Sequence, residues 1–312
     1  MRILVTGGAG YLGSILVGEL LKNNHTVCVI DNFMYEQNSL STYFNNARFS
    51  TIVGDVRNGS LMKEHVSKAD VIIPLAAIVG APACDVDSTA ATSINKDSII
   101  SLLKLLSNDQ LLIMPTTNSA YGQGDENHFC DENSKLNPLS QYAKEKVEVE
   151  EIIMGRTNSI SFRLATVFGM SPRMRLDLLV NEFVLRAIRD RYIVLFEGHY
   201  KRNFIHVLDV SAAFNLAILN PQQFLGNIFN VGLSDANLSK IELCNKIKEH
   251  IPNFFVTESN LSNDPDKRNY IVSNSKIENL GFRPTISLDI GIKELVQGIA
   301  TLKTKNYTNT RL

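Results

Sequence analysis

The first thirteen residues constrain the fold of this chain more than any others. Met1 to Val5 is a mostly apolar run suited to a buried parallel strand. It passes directly into Thr6-Gly7-Gly8-Ala9-Gly10-Tyr11-Leu12-Gly13, and a helical run follows from Ser14 to Leu21. The next apolar run, Thr26 to Ile30, ends on Asp31. This order of strand, glycine turn, helix, strand and acid is what a dinucleotide needs. Gly7 permits the tight turn, and Gly10 lets the backbone approach a diphosphate. Gly13 lets the helix pack close to the sheet with its amide-rich N-terminus facing the phosphates. A carboxylate at Asp31 can accept both hydroxyls of an adenosine ribose and would repel a 2′-phosphate, so NAD is expected rather than NADP. The flanking strands and the terminal acid favour a nucleotide site over a helix-packing turn without a ligand.

Composition bounds the rest. The 312 residues are 44% apolar, enough for a sizeable core, and the formal net charge is −1. That balance gives no reason to expect nucleic acid or an anionic membrane surface as partner. No apolar run reaches the length of a membrane span, and the N-terminus reads as a core strand rather than a signal peptide. Cys28, Cys84, Cys130 and Cys244 are scattered without metal-ligand spacing, so no metal is expected. Reduced thiols in a cytoplasmic protein is the plain reading.

Through the first half, apolar runs alternate with amphipathic helical stretches. Candidate strands are Ile3–Thr6, Thr26–Asp31, Phe49–Val53, Val71–Leu75, Leu111–Pro115 and Ser159–Leu164. The fold class expected is α/β, a Rossmann-type doubly wound parallel sheet, with the ends at Asp31, Leu75 and Pro115 on one ligand-binding edge. After Phe168 the loops lengthen, and Asp177–Arg191, Lys240–His250 and Ser287–Leu302 read as amphipathic helices. Residues 1–168 are therefore expected to be mainly the NAD-binding domain. Residues 169–312 are expected to be mainly a smaller mixed lobe, with segments returning to the main sheet. The polar tail Lys303–Leu312 is expected to be loose.

Two further motifs carry chemistry. Tyr142 and Lys146 lie four apart within a predicted helix, Ser140–Ile152, and so share a face. A phenol ionises near pH 10, too high for a neutral-pH base, but a nearby ammonium and a cationic nicotinamide both favour the phenolate. Tyr142 could then accept a proton from a sugar hydroxyl while hydride leaves the same carbon. Alone, such a pair is an ordinary surface tyrosine and its neighbour; behind a nucleotide-binding half it is the favoured catalytic pair. Pro115-Thr116-Thr117-Asn118-Ser119-Ala120-Tyr121-Gly122 follows a strand, so its hydroxyls should emerge at the ligand-binding edge. One of them could position the reacting oxygen.

The three features together resemble the extended short-chain dehydrogenase/reductases that act on nucleotide sugars, over nearly the whole chain. The G-x-x-G-x-x-G spacing of the turn is similar to theirs. The resemblance implies Thr117, Tyr142 and Lys146 as catalytic residues. It implies cofactor contacts from Gly7, Gly10, Tyr11, Leu12, Gly13, Asp31, Asn32, Asp55, Val56, Leu75, Ala76 and Ala77, with Tyr142 and Lys146 also on the nicotinamide side. Asn95 matches an asparagine that is often structural in that family. Arg163-Leu164-Ala165-Thr166-Val167-Phe168-Gly169 resembles R-x-x-N-V-[YF]-G, with Thr166 in place of asparagine. Lys201-Arg202-Asn203-Phe204-Ile205-His206 resembles R-D-[FY]-I-H, which makes Arg202 the implied ligand of the sugar nucleotide's diphosphate and His206 structural. Asp264-Pro265-Asp266-Lys267-Arg268 stands near a second family arginine and implies Arg268. Asn118, Ser119, Thr166, Arg173, Arg175 and Asn181 complete the implied substrate set. A homodimer is implied through the helix after Asn95 and the helix of Tyr142, with Ile99, Leu102, Leu103 and Val147 as apolar positions that could equally face the sheet.

The shared first step implied is NAD-dependent oxidation of a nucleotide-sugar hydroxyl, usually at C4. Dehydratases of the family carry an Asp-Glu pair directly after the hydroxyl residue. Asn118 and Ser119 stand there instead, and neither exchanges a proton usefully near pH 7. A 4-epimerase and a 4-dehydrogenase that releases the keto sugar both stay open. Thr117–Gly122 and Pro172–Asn181 are similar to a subgroup containing GDP-heptose 4-dehydrogenases of surface-polysaccharide synthesis. Cys84 and Cys130 are expected to be buried, inert thiols. A non-catalytic NAD sensor is the alternative from another class; retention of Thr117, Tyr142, Lys146 and Arg202 weighs against it.

Overall fold

A computed structural model describes residues 1–124, 128–259, 261, 266–302 and 307–308. Its strands, in chain order, are β1 Arg2–Thr6, β2 Thr26–Asp31, β3 Phe49–Val53, β4 Val71–Pro74, β5 Leu111–Thr117, β6 Ser159–Leu164, β7 Thr166–Phe168, β8 Tyr192–Leu195, β9 Lys201–His206, β10 Asn227–Val231, β11 Asn237–Ser239 and β12 Phe255–Glu258. The large sheet has seven strands in the order β10-β6-β5-β4-β1-β2-β3. Every pairing in it is parallel. Parallel sheets are covered on both faces, which is why β1 and β4 read as nearly unbroken apolar runs. A three-stranded sheet, β11-β9-β7, and a two-stranded one, β12-β8, lie in the later part of the chain.

Six helices position the site: α1 Tyr11–Lys22, α2 Gln141–Met154, α3 Leu179–Arg189, α4 Val207–Leu219, α5 Lys240–His250 and α6 Leu288–Thr301. For three of them the start has a clear local cause. Gly10 caps α1 without a side chain, leaving the first amides of the helix to a ligand. Ser140 caps α2 by accepting from the Ala143 amide, and Ser239 with Glu242 forms a capping box on α5. Helices α1 and α4 pack together on one face of the large sheet, around Leu16, Val17, Phe162 and Phe214. The opposite face is covered by Ile99, Leu102, Val149 and Ile153. Helices α3, α5 and α6 enclose a separate core around Phe183, Leu243 and Leu295.

All six strands expected from the sequence are present. Strand β5 runs on to Thr117 because Thr116 and Thr117 keep pairing with Arg163 and Leu164 of β6. That extension carries Thr117 to the ligand-binding edge. Two expectations change. Ile99 and Leu102 are buried against the sheet and so lend no support to a dimer, while Leu103 and Val147 are half-buried. In the tail, the Tyr307 carbonyl accepts from the Leu176 amide at 2.6 Å and its ring joins the α3–α5–α6 core. Residues 303–306 and 309–312 of that tail lie outside the described residues, as do Asp264 and Pro265.

One buried ion pair ties α2 to the sheet. Glu150 accepts from Arg163 Nη2 at 2.6 Å, Ser161 Oγ at 2.6 Å and Thr116 Oγ1 at 2.8 Å. Arg163 also donates to Tyr121 Oη at 3.1 Å, and Tyr121 donates to Asn230 at 2.7 Å. Glu150 and Arg163 are each 3% exposed. Removing one partner leaves a charge in a low-dielectric site. Glu150→Ala is therefore expected to cost ~3–5 kcal/mol of unfolding free energy in denaturant titrations. A loss under about 1 kcal/mol, the range of a surface pair, would contradict this.

Candidate active site

One cavity opens at the carboxyl edge of the large sheet, and a second lies in the later part of the chain, beside α3, β8 and β9. The first is lined by Gly7, Ala9, Gly10 and Asp31–Gln37 on one side and by Asp55, Val56, Leu75, Ala76 and Ala77 on the other. Gly7 has φ +70°, and a Cβ on it would stand 2.4 Å from the Ala76 amide nitrogen. A Cβ on Gly13 would stand 2.6 Å from the Gly7 carbonyl oxygen. The turn thus exists only with glycine at both positions. Tyr11, Leu12 and Gly13 do not line the cavity. Leu12 packs into the core, and the Tyr11 hydroxyl donates to the Gly169 carbonyl at 2.6 Å. The side chains of Tyr11 and Leu12 thus support the turn from behind, while the amides of α1's first turn stay available to a ligand.

Asp31 is oriented by the chain itself. Its Oδ2 accepts from the Ala9 amide at 2.9 Å and its Oδ1 from the Phe33 amide at 2.8 Å. Burial raises its carboxyl pKa, and those amides oppose the rise. Each oxygen retains lone-pair capacity for a ribose hydroxyl. Asn32 accepts from the Met34 amide, and Asp55 is held in a bidentate pair by Arg57, which keeps its carboxyl below the usual range. Gln37, unforeseen in the sequence, presents an amide with neither atom hydrogen-bonded. The fit to a dinucleotide is good: a glycine cradle, an oriented carboxylate and an unspent amide line one cavity.

The second cavity, about 580 Å³, is lined by Phe183, Tyr192, Phe196, Arg202, Lys240 and Asp266 among others. A volume of this size and mixed polarity suits a small-molecule ligand. Arg202 is buried and reaches Asp266 Oδ1 at 3.1 Å. Arg268 holds the same carboxylate through Nε at 2.6 Å and Nη2 at 2.5 Å, which keeps Asp266 well below the usual carboxylate range. Arg268 also donates through Nη1 to Ser119 Oγ. Its charge acts on the Tyr142 phenol as well.

Tyr142 and Lys146 pair on α2, with the Lys146 ammonium 5.9 Å from the phenol ring centroid. Burial pushes the Tyr142 phenol up to about 12, and the cations that oppose it are Arg175 and Arg268. These two arginines join the ammonium and the cationic nicotinamide expected to favour the phenolate. Lys146 is itself pulled down to about 8 by burial. Thr117 accepts from the Ser119 amide at 3.0 Å, and the turn it caps packs on α2. Asn118 is 1% exposed with neither side-chain amide atom hydrogen-bonded. Cys84 lies close enough for its charge to act on Tyr142, but burial and Glu145 raise its thiol to about 11, so it stays protonated at neutral pH.

Several implied substrate residues lie elsewhere. Asn181 is fully buried and spent: it accepts from the Gly169 amide and donates to the Arg175 carbonyl at 2.8 Å and to Tyr11 Oη. It staples the loop after β7 and touches neither cavity. Arg175 forms a bidentate pair with Asp177. Arg173 lines the first cavity, beside Asp31, and not the second. Thr166 is half-buried on β7, paired in register with Phe204. Asn95, buried, bonds both the amide and the carbonyl of Ile78, and His206 bonds Glu294 at 2.6 Å; both act in the framework.

The model of the NAD dependent epimerase/dehydratase family matches residues 3–232. The chain belongs to that family. As an epimerase/dehydratase it is an NAD-dependent enzyme of the nucleotide-sugar type. UDP-glucuronic acid decarboxylase 1 of Arabidopsis thaliana is 30% identical over 311 residues, covering 95% of this chain and 69% of the relative. A low-salt glycan biosynthesis protein of Haloferax volcanii is 25% identical over 95% of this chain and 97% of its own. The UDP-glucuronic acid 4-epimerase of Bacillus cereus, solved with UDP-glucuronic acid and NAD, superposes with a TM-score of 0.86 at 25% identity, covering 97% of this chain and 100% of that one. No helix among the described residues is long and apolar enough to cross a membrane, and no cluster of metal-ligating side chains occurs among them.

Lys146 supplies a test that needs no substrate. Its pKa lies below the ordinary lysine value of 10.5, so between about 8 and 10.5 the unfolded chain binds more protons than the folded one. The penalty is full below pH 8 and is relieved as pH rises through that window. Lys146→Met should stabilise the cofactor-free protein by about 1–3 kcal/mol at pH 7, with the gain vanishing toward pH 10.5. Equal stability of variant and wild type at every pH would contradict the burial of that charge.

Proposed function

We propose that this epimerase/dehydratase oxidises C4 of a nucleoside-diphosphate hexose or heptose in the cytoplasm, as a 4-dehydrogenase or 4-epimerase supplying surface-polysaccharide precursors. The observation that carries this reading is the Arg268 guanidinium. It bonds Ser119 beside the reacting end, shares Asp266 with Arg202 in the second cavity, and acts on the Tyr142 phenol. One side chain thus couples the place for a diphosphate to the place for a proton transfer.

NAD, when bound, supplies the hydride acceptor. Tyr142 receives the proton of the C4 hydroxyl, and Thr117 shares a hydrogen bond with that oxygen. Arg175 and Arg268 lower the cost of the phenolate, and Lys146 holds its ammonium beside it and bonds the nicotinamide ribose. Arg202 and Arg268 exchange part of their hold on Asp266 for the substrate diphosphate. Asn118, with both amide atoms unspent, bonds the sugar. Asn118 and Ser119 have no proton to trade at neutral pH, which disfavours 4,6-dehydration.

A second reading is a UDP-sugar 4-epimerase, in which the hydride returns to the opposite face of the same carbon. The likeness to the Bacillus cereus UDP-glucuronic acid 4-epimerase favours it. The segments Thr117–Gly122 and Pro172–Asn181 instead favour release of the ketone, on a GDP-heptose. We also infer a homodimer, through the half-buried faces carrying Leu103 and Val147, to be checked by sedimentation.

Pure protein and NAD incubated with UDP-, GDP-, CDP- and dTDP-sugars decide between the two. A product lighter by one hydride and one proton, with stoichiometric reduced nicotinamide, identifies the dehydrogenase. An isomer of unchanged mass without accumulated NADH identifies the epimerase. Tyr142→Phe should lower kcat ~100- to 10,000-fold on the active substrate while NAD still binds. Turnover within a few-fold of wild type would remove Tyr142 from the chemistry.

A further inference from the structure

Among the described residues, Arg173 forms no ion pair, although Asp31 and Asp177 act on its charge from a distance. It is 2% exposed, and neither its Nε nor its Nη2 has a hydrogen-bond acceptor. Among the described residues, no carboxylate lies within ion-pair distance of it. Its guanidinium lies over the Tyr35 ring, 4.0 Å from the centroid. Burial and the neighbouring Arg175 work against its charge, lowering its pKa to about 10, so it remains a cation at neutral pH. A buried guanidinium with unspent donors is costly unless an anion completes it.

The place of Arg173 names the anion. It lines the cofactor cavity with Gly7, Gly10 and Ala76, the residues that form the phosphate cradle. The loop that bears it is fastened directly to that cradle. Ser171 Oγ donates to the Tyr11 carbonyl at 2.7 Å and lies 3.0 Å from Ser14 Oγ. Tyr11 Oη holds Gly169, and Asn181 holds both Gly169 and Arg175. The loop is held at both ends, and its middle projects one cation over the cofactor cavity.

We propose that Arg173 binds the diphosphate of the dinucleotide and, stacked on Tyr35, closes the cavity over it from the substrate lobe. A guanidinium fork matches the geometry of two phosphate oxygens, and a diphosphate has both charge and size to reach it from the cradle. The assignment rests on NAD as cofactor. It moves Arg173 from the substrate set, where the sequence put it, to the cofactor set, and it makes the substrate lobe a determinant of cofactor release.

The test compares wild type with Arg173→Met and Arg173→Lys by calorimetry and by thermal melts of the cofactor-free protein. The ligands are NAD, ADP-ribose, adenosine and NADP. Arg173→Met should weaken NAD and ADP-ribose about 10- to 100-fold, leave adenosine unchanged and release NAD faster, with Arg173→Lys intermediate. The Met variant should melt no lower than wild type without cofactor, because a costly charge is gone, yet gain less from added NAD. Unchanged NAD affinity would overturn the proposal. So would an equal loss of adenosine and NAD with a lowered melting temperature, the signature of a structural residue. Wild-type preference for NADP, reversed in the Met variant, would assign Arg173 to a 2′-phosphate instead. Failure of the wild type to bind NAD would refute the cofactor assignment itself, an outcome the variant comparison keeps separate.

Discussion

The Glu150–Arg163 pair is the constraint from which the rest of the active site follows. Helix α2 carries Tyr142, Lys146 and Glu150 at four-residue spacing, so all three lie along one face. Glu150 is locked by Arg163 and Ser161 on β6 and by Thr116 on β5, one residue before Thr117. The same arginine reaches Tyr121, which closes the turn after Thr117. The axial position of Tyr142 is therefore referred to the sheet edge that presents Thr117 and Asn118. A buried pair of this kind adds little net stability, but it permits one register of helix against sheet and penalises every other. Proton transfer needs that register, since a small misplacement is costly in rate.

Electrostatics divides the site by function. Tyr142 and Lys146 are both driven by burial toward their neutral forms, the phenol upward and the ammonium downward. Such a pair is poised rather than preset: its ionisation depends on the cations that surround it. Arg175 and Arg268 are two of these, each held by an aspartate rather than left free. Asp266 in turn bridges Arg268 and Arg202, so a charge that acts on the Tyr142 phenol is tied to the second cavity.

Much of this was legible in the sequence, and the reasons for what was not are physical. The glycine turn, Asp31 and the six strands were readable because buried parallel strands write themselves as apolar runs punctuated by turns. The starts of α2, α5 and α6 fell within a residue or so of their expected places, and Ser140, Ser239 and Ser287 cap them. Glu150 was hidden: a glutamate among the charges of Lys144–Glu151 reads as a solvated helix face, and only the sheet's Arg163 reveals that it points inward. Asn181 and Arg173 were given substrate roles on the strength of a shared segment, but spacing in a loop does not state which way a side chain points. Asn181 turned inward to staple the loop, and Arg173 turned into the cavity lined by Gly7 and Asp31. Tyr35 and Gln37 were missed because the segment after Asp31-Asn32 has no periodicity to read.

The central claim is that a hydride leaves C4 of a nucleotide sugar in the space bounded by Tyr142, Thr117 and the cofactor cavity. Deuterium placed at C4 of the substrate tests it most directly, with the reaction quenched during the first turnover and the reduced nicotinamide recovered and weighed. One deuterium on that reduced nicotinamide is predicted whether the ketone is then released or re-reduced, and it should appear far more slowly in Tyr142→Phe. Product formed with no deuterated reduced nicotinamide at any point in the turnover would contradict it.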